Sequence, residues 1–78
     1  MKLKNVSNSA HVLELHNMQI LFSYQTPVAA FINKTGEYVV TDTDYSRTTT
    51  KHISSFIQDC EHRIVSQDFI NNVYWKMQ

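Results

Sequence analysis

The sequence predicts an α+β fold: one small domain with an antiparallel sheet of three or four strands, built from two hairpins and covered on one face by two helices. Three observations predict it. Short apolar alternations occupy the first half of the chain, turn residues separate them, and the apolar period changes from two to about 3.6 near Thr48. Each such element has an apolar side that needs a partner, so strands followed by helices assemble into layers.

The elements follow in order. His11 to Leu15 alternates, with Leu13 and Leu15 on one side of Glu14, and Gln19 to Tyr24 places Ile20, Phe22 and Tyr24 together. These strands pair around "HNM". Pro27 ends the second and sets an extended start for "VAAFI"; "NKTG" then supplies a turn in which Gly36 takes positive φ, and "EYVVT" closes a second hairpin. Ile53, Phe56, Ile57 and Cys60 fall at helical spacing, which predicts a helix from about Thr49 to Asp59 with Ser46, Thr48 or Thr49 as its cap. "HRIV", residues 62–65, reads as a connector or an edge strand. Ser66 is a candidate cap for a terminal helix, with Asp68 in its first turn and Phe69, Ile70, Val73, Tyr74 and Met77 as its apolar stripe.

Length and composition bound the function. Residues 1–78 form one expected domain, with 1–10 a candidate flexible start, and a chain this short buries only about 60% of the surface its unfolded form exposes. Seven Lys plus Arg balance seven Asp plus Glu, which disfavours a nucleic-acid binder relying on a strong field. Cys60 is the single cysteine, so no intrachain disulfide forms and a reducing, cytoplasmic setting is expected. Asn, Ser and Asn follow the first lysines where a signal peptide needs an apolar region, and the longest apolar run, "VAAFI", is far below the roughly 20 residues that span a bilayer. No membrane association is expected.

"DYSRTTTKH", residues 44–52, is the candidate site. Tyr45, Arg47, Thr48, Thr49, Lys51 and His52 combine hydroxyls and cations at a helix start, where a phosphate, a nucleotide or an acidic surface would find charge and donors. The same residue types are ordinary turn and cap chemistry. Trp75, off the main stripe of the last helix, is either sheet cover or a partner-facing anchor. Metal binding is not expected: His11, His16, His52, His62 and Cys60 include no pair with zinc-site spacing. Neither is catalysis, because His52 lies two helical turns from a Cys60 placed on the apolar stripe, and no carboxylate pair sits on a rigid element. No cofactor signature occurs.

At "FSYQTPVAAF" and "SRTTTKHI" the chain resembles a family of short, mostly uncharacterised proteins from phages and bacterial mobile elements. Their pattern, an aromatic-Ser-x-x-Thr-x-Val-Ala strand start and a Ser-x-Thr-Thr-x-Lys-His-aliphatic helix start, is matched at Phe22, Ser23, Thr26, Pro27, Val28 and Ala29, then at Ser46, Thr48, Thr49, Lys51, His52 and Ile53. Where those proteins often carry Gly, this chain has Thr50. The resemblance implies a phage-type accessory protein in the host cytoplasm, a non-enzymatic module that binds a host protein or complex and inhibits a defence system, anti-CRISPR-like or otherwise. The alternative is a phosphate, nucleotide or nucleic-acid binder using residues 46–52. Open hairpin edges add the expectation of a homodimer.

Overall fold

The computed structural model describes residues 2–7, 9–43, 45–58 and 60–73. It contains β1 (Lys2–Ser7), β2 (Ala10–Glu14), β3 (Met18–Ser23), β4 (Thr26–Ile32), β5 (Glu37–Thr41), α1 (Arg47–Ile57), β6 (His62–Val65) and α2 (Gln67–Asn71). The strands form one sheet in chain order, β1 to β6. The class is α+β, but the sheet exceeds the three or four strands expected and is mixed. Strands β1 to β5 pair antiparallel, whereas β6 runs parallel to β5, because α1 carries the chain across one face before it returns to the sheet.

The two helices lie on opposite faces, which corrects the expected single covered face. Consecutive sheet residues divide between two cores. Leu21, Ala29 and Val40 join Ile57, Ile53 and Phe56 of α1, while Ile20, Ala30 and Val39 join Ile70 and Phe69 of α2. A strand covered on both sides is apolar at adjacent positions rather than alternate ones, and "AA" and "VV" supply those pairs. On the α1 side Tyr38 packs between Phe31 and Phe56, with ring centroids 4.7 and 5.5 Å away.

Pro27 lies inside β4 rather than ending a strand. The β3–β4 register shifts between Leu21 and Phe22, leaving Val28 as an extra residue, so Val28 and the next residue, Ala29, both turn to the α1 core. A bulge of this kind accommodates a proline, which has no N–H to give to the ladder. Gly36 occupies the turn of the next hairpin at φ 70°, as its turn requires.

Helix α1 begins earlier and ends earlier than its apolar spacing suggested. Ser46 is the N-cap, its hydroxyl accepting from the Thr49 N–H at 3.3 Å, and Gln58 closes the helix in the left-handed conformation. Cys60 therefore lies beyond the helix and is exposed, not on the buried stripe. Ser66 caps α2 by accepting from the Phe69 N–H at 3.1 Å. Tyr74, Trp75 and Met77 lie outside the described residues.

Candidate functional site

Residues 45–52 separate into two groups. The inward group is buried: Thr49 and His52 turn to the sheet and meet Ser23, the last residue of β3. Ser23 Oγ lies 2.9 Å from Thr49 Oγ1 and 2.9 Å from His52 Nδ1. A hydroxyl can donate once and accept as well, so Ser23 can donate to one of these partners and accept from the other. Thr49 Oγ1 also stands 3.4 Å from the capping Ser46 Oγ. Ser23, Thr49 and His52 thus clasp the β3 end to the first turns of α1, and the two stretches of sequence singled out separately are one structural unit.

The outward group is Tyr45, Arg47, Thr48 and Lys51, all exposed. Arg47 and Lys51 stand one helical turn apart on one side of α1. The ion pair found among the described residues joins Arg63 to Glu37 at 3.9 Å and involves neither of them. Tyr45 turns away from α1, its hydroxyl donating to Gln67 Oε1 at 3.0 Å. Trp75 lies outside the described residues.

Tyr24 stands at the margin of this surface, and the alternation of its strand gave no sign of it. The β3–β4 connection is the pair Tyr24–Gln25, and Tyr24 has φ 59° with 56% of its surface exposed. Its N–H donates to Ser9 O, and its ring centroid is 6.3 Å from that of His52. Tight hairpin turns favour glycine or asparagine at positive φ, and a tyrosine there costs about 1–2 kcal/mol. An exposed aromatic side chain is held in a strained position directly beside α1.

Ligands of α/β proteins commonly bind beyond the carboxyl ends of parallel strands where the following helices diverge to opposite faces. Here that point is the end of β5 and β6, and Gln67 fills it. Gln67 Oε1 accepts from Thr41 Oγ1 at 2.6 Å and from Tyr45, while Nε2 donates to Pro27 O at 2.8 Å and Asn71 Oδ1 at 2.9 Å. With both acceptor sites and both donors used, this amide ties three elements together and leaves nothing to offer a substrate.

On the α2 face, a concavity of about 430 Å³ opens among Leu13, Leu15, Ile20, Phe22, Pro27, Ile70, Asn71 and Val73. No group of three or more His, Cys, Asp or Glu suited to a metal occurs among the described residues. No helix among them is long and apolar enough to cross a membrane.

Residues 1–72 match the model of a family of unknown function, DUF8033. The chain belongs to that family. The match takes in all six strands, both helix caps and every residue of the Ser23–Thr49–His52 clasp, so the family model spans the fold described here. No curated protein and no solved structure matches the chain.

Proposed function

We propose that the chain is a non-enzymatic protein-binding module whose docking surface is Tyr24 together with the solvent side of α1, chiefly Arg47, Thr48 and Lys51. One observation carries this reading: an exposed tyrosine sits where a tight turn favours glycine. Strain of this kind persists when the surrounding structure enforces it, and it concentrates at sites of function. Tyrosine and arginine are also the residue types that most often anchor protein interfaces. The amide of Gln67 in the strand-end crevice and the inward commitment of Thr49 and His52 weigh against a small-ligand or phosphate site at the helix start.

The setting proposed with it is that of a phage-type accessory protein, acting in the host cytoplasm and inhibiting a host defence complex by occupying it. That setting rests on the two sequence motifs. Capture from host lysate by the tagged parent chain and by Tyr24→Gly, compared by mass spectrometry, tests the reading. A specific partner held by the parent and lost by the glycine variant, with melting unchanged or raised, supports it; a partner held equally by both refutes it.

A further inference from the structure

We infer that the partner segment docking on α1 is a carboxylate-rich polypeptide, an inference that rests on the docking surface proposed above. Helix α1 reads "RTTTKHISSFI" and contains two cations and no acidic residue. Both cations lie in its N-terminal half, toward the end where the backbone dipole is positive, so the helix gains nothing from them there. Helix α2 shows the ordinary arrangement, with Asp68 in its first turn. Arg47 and Lys51 are exposed and make no ion pair among the described residues.

The surface around them fits a peptide carboxylate. Thr48, Ser54 and Ser55 are small, exposed hydroxyl residues that let a partner's backbone come close, and the Tyr24 ring stands at the margin to cover apolar stems. Arginine binds carboxylates through two parallel hydrogen bonds, which gives orientation as well as attraction. A nucleic acid is less well matched: two cations neutralise few phosphates, and the formal net charge of the chain is +0.

The test is an amide-resonance titration of the ¹⁵N-labelled full chain at low ionic strength, with a capped hexaglutamate peptide and, in parallel, with oligothymidylate. The expected result is that hexaglutamate shifts the amides of Arg47 to Lys51 and of Tyr24, and that the Arg47→Ala/Lys51→Ala variant binds it about tenfold more weakly. No shift, or shifts centred on Lys34 or Arg63, overturns the inference, as does stronger perturbation of the same amides by oligothymidylate. The two proposals fail separately. A captured partner lost by Tyr24→Gly but unaffected by Arg47→Ala/Lys51→Ala overturns the acidic partner alone, whereas retention by Tyr24→Gly overturns the docking surface.

Discussion

Replacing Ser23 by alanine should be among the most damaging changes of a small residue in this fold. Ser23 is 2% exposed and its hydroxyl serves two partners, Thr49 Oγ1 and His52 Nδ1, each at 2.9 Å. Removing it deletes two hydrogen bonds between buried groups, each loss costing about 1–3 kcal/mol. Thr49 retains its longer contact with Ser46 and falls at the low end, so the expected loss is about 2–4 kcal/mol. A domain of this length is stable by roughly 4–12 kcal/mol, so the variant should lose a large share of its stability and melt about 10–25 °C lower. Urea unfolding followed by circular dichroism measures it, and the midpoint should fall with the slope unchanged. Thr49→Val provides the partner measurement: the double variant should lose less than the sum of the single losses, by about 0.5 kcal/mol or more, because the residues share one network. A loss below about 0.5 kcal/mol for Ser23→Ala, within the range of ordinary surface substitutions, would refute the clasp.

Other outcomes follow from the same geometry. Arg47→Ala and Lys51→Ala should each change stability by less than about 1 kcal/mol, since both are exposed and unpaired among the described residues, while capture of the partner drops; equal capture would move the working surface elsewhere. Phe56 is half-buried and packs edge-on against Tyr38, so Phe56→Ala should cost about 2–3 kcal/mol, less than a fully buried phenylalanine, and unchanged melting would remove it from the core. Tyr24→Gly relieves a left-handed backbone and should leave stability equal or raise it by about 1 kcal/mol, and a clear loss in chemical denaturation would show that the ring is structural. The homodimer expected from open hairpin edges would have to form at β1, which carries Lys2 and Lys4, or at the four-residue β6, which carries Arg63. Lysines and short strands discourage edge pairing, so sedimentation should show a monomer at high micromolar concentration; a dimer would contradict this.

Much of this fold was legible in the sequence, and the misreadings have physical causes. The strands β2 to β5 and both helix starts were recoverable from period and turn residues. Strand β1 was not, because "KLKNVS" has no alternation of its own and is fixed by pairing with β2. The opposite placement of the helices was signalled by the adjacent apolar pairs at Ala29–Ala30 and Val39–Val40, which fit a sheet covered twice, but the alternation in β2 and β3 suggested one open face. Tyr24 was hidden by the same alternation: with Ile20 and Phe22 it completes an apolar row, and nothing in "SYQT" announces a turn. Thr49 and His52 sat among cations and hydroxyls, and only the position of β3 shows that they face inward.

Two departures from local rules among the described residues lie close together, at Tyr24 and at the start of α1. Gly36 takes the positive φ of its turn, Ser46 and Ser66 cap their helices, Asp68 sits in the first turn of α2, and the left-handed Gln58 occupies a helix end where that conformation is common. Against this background Tyr24 takes a position that favours glycine, and Arg47 and Lys51 occupy the half of α1 that favours acids. The Tyr24 conformation costs about 1–2 kcal/mol and the cations less, since the dipole effect fades within the first turn, and all adjoin the Ser23–Thr49–His52 clasp, which fixes the β3–β4 turn against α1. The clasp therefore ties the turn that carries a strained aromatic residue to the helix that carries two exposed cations. For the docking surface proposed above, a backbone already fixed before the partner arrives would lose less entropy when it binds. Sequences that satisfy their local rules nearly everywhere tend to break them where function requires it, which is the reason for proposing the working surface beside this clasp.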